Sequence, residues 1–340
     1  MYERGLLREE IARSGVPIVS IAKRGRWDLV GPGMRLRLHL RRLRPQIIHS
    51  FLTPPNILAA LFGRRGVTRI VWGYRASDMD MKRYDWTHSA TNRLERALAS
   101  VPASIVANSN AGRLHALGRG YPVQTLRVIP NGIDTQRFRP NAVLRAETRA
   151  LLGISAGTQL VGIAARLDPM KDHDTFLRAV AIAGPQREPV RFVCVGGGSQ
   201  SYEAALKERA RTLGIAERVL WLGVRNDMPA IWNAIDVATL SSAFGEGFPN
   251  AVGEAMACGV PVVATTSGDS ADIVGETGIA VPTRGPKALA QGWLTLLAEG
   301  DVARANRSAA CRARIEQHYS LQAMVSSYSD LYSSLTRSVR

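Results

Sequence analysis

Short runs rich in β-branched residues recur along this chain, each followed by a stretch of helical periodicity. That alternation admits little except parallel sheets covered by helices on both faces. The first series is VPIVSI (16–21), QIIHSF (46–51), TRIVWG (68–73), SIVANS (104–109) and LRVIP (126–130). The second is LVGIAA (160–165), RFVCVG (191–196), RVLWLG (218–223), DVATLS (236–241), VPVVAT (260–265) and GIAVP (278–282). Between them, residues 131–157 lose the strand signal and are punctuated by Pro140, Gly153 and Gly157. The junction is therefore placed near residue 155, giving a first domain over 1–155, a second over 156–320, and a terminal helix in 321–340 returning to the first. In open parallel sheets ligands bind beyond the carboxyl ends of the strands, so two facing domains of this kind enclose a cleft lined by strand-end loops.

At 340 residues the chain can bury two cores, and 46% hydrophobic with 21% charged residues is the balance of a globular protein. Its formal charge of +16 calls for an anionic partner or a solvated basic surface. The segment RLRLHLRRLR (35–44) carries five arginines and sets Leu36, Leu40 and Leu43 at helical spacing. One reading is a domain helix with leucines in the core; the other is an amphipathic helix lying on an anionic membrane. Nucleic acid is not expected as a partner, because the basic stretches lack interleaved aromatics and no recognition-fold signature is present. Cys194, Cys258 and Cys311 stand far apart, which argues against a zinc site or disulfides. The charged start MYERGLLREEIARSG and the lack of an apolar run near ~18 residues predict a cytoplasmic protein, peripheral at most on the inner face of the membrane.

The chemistry concentrates after two strands of the second series. RLDPMKDHDTF (166–176) puts Arg166 and Lys171 in one strand-to-helix loop, with Asp172 or Asp174 as the helix N-cap. Two cations at such a turn, beside the positive end of a helix, suit a diphosphate. SSAFGEGFPNAVGEAMACGVPVVAT (241–265) places Glu246 in a glycine-rich loop and Glu254 eight positions on, inside a helix that Gly259 ends. Gly245 and Gly247 allow close backbone approach, the amides of Ala251 and Val252 are open to phosphate oxygens, and carboxylates accept from vicinal hydroxyls. A glutamate in a first helical turn is ordinary for dipole reasons, which accounts for Glu254 but not for the glycines and Pro249 around Glu246.

These two segments, with VANSNAG (106–112), VIPNGIDTQRF (128–138), VCVGGG (193–198) and WLGVRNDMP (221–229), resemble the retaining GT-B glycosyltransferases of family 4, also called glycosyl transferases group 1. The resemblance implies an α/β GT-B fold of two Rossmann-like domains facing across a cleft. It also implies transfer of a sugar from a nucleoside-diphosphate sugar, UDP-linked in many relatives, to a lipid-linked or cell-surface polysaccharide acceptor. Arg166 and Lys171 would grip the diphosphate, Glu246 the donor sugar and Glu254 the ribose. The backbone of Gly247, Phe248, Pro249 and Asn250 would meet sugar and phosphates, and Gly196, Gly197, Gly198, Val224 and Arg225 would frame the base. No metal and no cofactor are implied, and retention by front-face attack requires no protein nucleophile.

His49, Arg75 and Ser109 are read as acceptor-side residues, Arg75 standing where many relatives carry a histidine. The chain opens on GLLREEIARSGVPIVSI, so the first strand and glycine-rich loop of such relatives are expected to be missing. The rival readings are an epimerase of the same fold, which would need further acid and base residues, and a non-catalytic nucleotide-sugar-binding module.

Overall fold

The computed structural model describes residues 11–22, 30–63, 68–75, 86–184 and 189–337. In the first half, β1 (Ile47–Phe51), β2 (Arg69–Tyr74), β3 (Ser104–Ala107) and β4 (Leu126–Val128) pair in parallel in that order. The second half holds β5 (Gln159–Ala164), β6 (Val190–Val195), β7 (Val219–Gly223), β8 (Val237–Leu240), β9 (Val262–Thr265) and β10 (Ile279–Val281). Their order is β10-β9-β8-β5-β6-β7, again parallel. The direction of strand addition reverses between β5 and β8, and that is where a parallel sheet opens a crevice. The loops leaving those two strands carry Arg166 with Lys171 and Glu246.

Near-continuous apolar strands follow from burial on both faces. β8 and β9 are buried at every residue, and the second sheet has a large cluster on each side, one around Trp232 and Met256, the other around Phe176, Phe192 and Trp293. The first sheet buries Ile70, Trp72 and Ile105 in one cluster. Val71, Val106 and Ile129 form another with Leu331 of the helix Leu321–Arg337, which comes from the far end of the chain. The chain thus crosses between the domains twice, and the crossings are bonded to each other: Ile133 N–H donates to the Tyr319 carbonyl at 2.8 Å and Leu321 N–H to the Ile133 carbonyl at 2.8 Å.

Three expectations are corrected here. Residues 16–21 are not a strand; Val16, Ile18 and Val19 are exposed, and the carbonyls of Ile21 and Ala22 accept from the Arg35 guanidinium at 2.9 and 3.1 Å rather than from a sheet ladder. The basic helix Val30–Leu43 turns Leu40 inward and half-buries Leu36, but Leu43, at its last turn, is 70% exposed, as are Met34 (55%) and Leu38 (49%) on the opposite face. The helix Ala142–Leu151 belongs by packing to the second sheet: Arg145 and Arg149 pair with Asp236 at 2.5 and 3.2 Å, and Asp236 also accepts from the Leu160 amide. The crossover lies at Gly132–Ile133, earlier than residue 155, because a polar helix carries no label of the domain it packs on. No described helix is long and apolar enough to cross a membrane.

Candidate functional site

The loop after β5 is shaped by its neighbours. Leu167 bridges Gly198, with its N–H donating to the Gly197 carbonyl at 2.9 Å. Gly196 has φ +134°, and a Cβ there would come within 2.0 Å of the Ala165 carbonyl oxygen, so glycine alone fits. Arg166 stands exposed at this rim. Asp168 caps the short turn Pro169–Lys171 by accepting from the Met170 amide. Asp172, in the left-handed region, then caps the helix His173–Ala183 through Thr175; Asp174 instead pairs with Arg178 and Arg209.

The loop after β8 is sewn to the first. Ser241 Oγ donates to the Lys171 carbonyl at 2.7 Å and the Ala243 amide to the Met170 carbonyl at 2.9 Å. Lys171 Nζ stands 2.5 Å from Glu246 Oε1, which also accepts from Ser242 Oγ at 2.5 Å. With side chains only 17% and 7% exposed, this ion pair is largely out of water, where losing one partner leaves a costly unpaired charge. The cation expected to face a diphosphate is thus held by the carboxylate expected to face a sugar. The Phe248 ring packs in the core against Tyr319 at 5.4 Å, so only its backbone, the part expected at the site, is available there. Pro249 starts the helix Asn250–Ala257, and the Val252 amide, expected open, already donates to the Pro249 carbonyl at 3.0 Å; Ala251 is half-buried beside it. Glu254 accepts from Trp232 Nε1 at 3.2 Å; burial raises its pKa, with the Trp232 hydrogen bond and Arg137 opposing. Val224 lies against Gly197, while the Arg225 fork is engaged by Asp227 in its own loop, at 2.8 and 2.5 Å.

On the facing side, the helix Asn110–Gly118 aims its N-terminus at the second domain. Ser109 is fully buried as its N-cap, accepting from the Gly112 amide. The Asp269 carboxylate of the second domain takes the amides of Asn110 and Ala111 at 2.6 and 2.7 Å. A negative charge on a helix N-terminus is favourable, and here it joins the two domains. Asn108 and Ser109 also border Gly247. Beside them a cavity of about 460 Å³ is lined by Ala111 and His115 from one domain and Gly245, Glu246 and Gly268 from the other.

His49 does not face this cavity. Its Nδ1 is 2.6 Å from the Tyr332 hydroxyl on the returning helix, its ring stacks on Phe51 at 4.2 Å, and burial with nearby Arg75 lowers its pKa to about 4. Arg75 donates to Asn131, which donates to Asn250 at 2.8 Å, so it reaches the second domain through one side chain. Sequence reasoning missed Asn131, Asp269 and His115. The Asn131–Gly132 dipeptide marks a turn and was a usable signal; a cap supplied by another domain, like Asp269, leaves no local pattern.

The described residues contain no group of three His, Cys, Asp or Glu side chains placed to hold a metal ion. What the site offers is cations and glycine backbone at two strand ends with carboxylates beside them, an arrangement suited to a diphosphate flanked by hydroxyls.

Residues 2–137 match Glycosyltransferase Family 4 and residues 158–299 match Glycosyl transferases group 1. The chain is similar to the lipopolysaccharide core biosynthesis mannosyltransferase LpsB of Rhizobium meliloti, 30% identical over 217 residues, which is 62% of this chain and 61% of that protein. It is also similar to a D-inositol 3-phosphate glycosyltransferase of Mycobacterium marinum, 35% identical over 166 residues, 47% of this chain and 34% of the relative. These matches span less than two thirds of the relatives' own length. Among solved structures, Anabaena Alr3699/HepE in complex with UDP superposes with a TM-score of 0.86 at 22% identity, over 97% of this chain and 90% of that one. The sucrose-phosphate synthase of Thermosynechococcus elongatus gives 0.79 at 21% identity, over 92% and 79%. With each half matched to one of the two glycosyltransferase domains and both sheets shared with these structures, the chain belongs to the family 4, group 1 glycosyltransferases and has their GT-B fold.

Proposed function

We propose that the protein moves a sugar from a nucleoside-diphosphate sugar to an acceptor held by the first domain, with retention and without a metal. The observation that carries this reading is the Lys171–Glu246–Ser242 cluster at the strand-order reversal, with Arg166 exposed beside it. Arg166 and Lys171 would bind the diphosphate and stabilise the charge that develops on it as the glycosidic bond breaks. For that, Lys171 must turn from Glu246 toward phosphate, and the released carboxylate would then accept from donor-sugar hydroxyls. Glu254 would take the ribose, the amides near Gly247 and Ala251 the phosphates, and Gly196, Gly197 and Val224 the base. Uracil is proposed as that base because HepE was solved with UDP. The acceptor would be a lipid-linked or saccharide intermediate of surface polysaccharide, a reading supported by the similarity to LpsB.

Exposed Met34 and Leu38 lie among Arg35, Arg37, Arg41 and Arg42, which supports docking of this helix on an anionic membrane at the cytoplasmic face. The test is titration calorimetry with UDP in excess chelator, followed by NMR of the anomeric product formed from UDP-sugars with membrane extract. Tight UDP binding and a product with the donor's anomeric configuration are expected. Failure to bind any nucleoside diphosphate, an absolute need for a divalent cation, or an inverted product would each overturn the part it addresses.

A further inference from the structure

A larger cavity, about 720 Å³, opens at the carboxyl ends of β1 and β2 in the first domain. Among the described residues, Arg75, Arg93, Arg96, Arg119 and His115 line it, with Glu95 as the one carboxylate. Glu95 is 2% exposed; its oxygens accept from Asn56 Nδ2 at 2.9 Å and Thr53 Oγ1 at 3.0 Å, and its charge acts on Arg119, which leaves Arg93 and Arg96 to set the sign of the outer wall. Arg119 is held in place by donation to the Tyr74 hydroxyl and the Asn92 carbonyl. Arg93 and Arg96 are exposed and form no ion pair among the described residues. A cavity whose described lining gathers four guanidinium groups against one carboxylate stabilises an oxyanion, for which arginine provides the planar fork. His115 lines both this cavity and the smaller one that contains Glu246, so the two spaces meet at one side chain.

We propose that this cavity selects an acceptor bearing an oxyanion, a phosphate or a carboxylate on the sugar, and brings it beside the Glu246 loop. The inference rests on the reading that the first domain holds the acceptor, and it goes further by assigning the acceptor's charge. Arg93 and Arg96 would contact the oxyanion directly, Arg119 would form the inner wall, and His115 would stand between acceptor and donor.

The experiment is titration of the full chain, in the presence of UDP, with glucose 6-phosphate, glucuronate and glucose. The parent is compared with Arg93→Gln/Arg96→Gln and with Arg41→Gln/Arg42→Gln, which removes the same charge from a helix that does not line the cavity. At least one charged sugar should bind roughly tenfold or more tightly than glucose, a gap of about 1.4 kcal/mol. Phosphate preference would assign phosphorylated acceptors and carboxylate preference uronic acids. The Arg93/Arg96 variant should lose most of that advantage while its UDP affinity and circular dichroism stay those of the parent. Equal affinity for charged and neutral sugars, or the same loss in the Arg41/Arg42 variant, would overturn the proposal. Charged-sugar selectivity without any UDP binding would instead remove the donor reading and leave this inference standing.

Discussion

Among the described residues the second sheet has six strands with a buried cluster on each face, while the first has four strands and depends for one face on a helix that arrives from the far end of the chain. Their charges differ in the same sense. In the second domain Lys171, Arg145, Arg149, Arg225 and Arg307 are each bound to a carboxylate, whereas the cavity of the first is walled, among the described residues, by arginines with a single engaged glutamate. One half has both faces of its sheet covered by its own helices, and its site cation is held by a carboxylate; the other is completed by a distant segment and leaves its cations facing the cavity. The difference teaches that nucleotide binding and acceptor binding should be separable by mutation, since the two sites rest on different cores.

The strongest way to break that comparison is Leu331→Asp. Leu331 is 7% exposed against Val71, Val106 and Ile129. Burying an unpaired carboxylate there costs several kcal/mol, on the order of 3–5. The first domain should unfold or aggregate at a lower temperature, while calorimetry still finds UDP bound within about threefold of the parent. Loss of both together would show that the domains form one cooperative unit.

A smaller effect, confined to the other half, is expected of Lys171→Ala. Leaving Glu246 buried without its partner should cost about 2–5 kcal/mol in transition-state binding. Glu246→Gln alone should cost less, and the Lys171→Ala/Glu246→Gln double variant should lose less than the sum of the two. Steady-state rates with the four proteins of the cycle check this, and strict additivity would show that the pair does not act as a unit.

The smallest effect compares one histidine from each domain. His49 and His173 both have pKa values lowered from 6.5 to about 4, chiefly by burial. His49 faces Arg75, Tyr328 and Tyr332; His173 has Lys171 and Asp168 nearby. A histidine kept neutral in the fold is protonated more readily when unfolded, so the stability it confers is complete above pH 6.5 and is lost as pH falls toward 4. After discounting for solvent screening, each should contribute on the order of 1–2 kcal/mol over that window. Thermal melts at pH 7.5 and 5 should show His49→Leu flattening the slope of the first-domain transition and His173→Leu that of the second. An unchanged slope in either variant would remove that histidine from the account.

Much of this was legible in the amino-acid order, because it rests on local rules. Ten of the eleven strand signals became strands, since β-branched runs between helical patterns need only neighbouring backbone to pair. The Asp172 cap and the ending of a helix before Gly259 (φ +76°) are likewise written within a few residues. The failure at residues 16–21 is of another kind: a strand signal is fulfilled only where a sheet edge is within reach, and there Arg35 took the carbonyls instead.

At the site, sequence alone singled out Arg166, Lys171, Glu246 and Glu254 as the candidates and placed Arg166, Lys171 and Glu246 in loops that follow strands. Only the tertiary structure decided that Lys171 and Glu246 hold each other, that Val252's amide is spent and Phe248 is core, that Asp269 caps a helix of the other domain, and that four arginines converge in one cavity. The physical reason is range. Capping, strand propensity and glycine turns act over a few residues, whereas ion pairing and burial depend on which distant segments the folded core brings within a few ångströms.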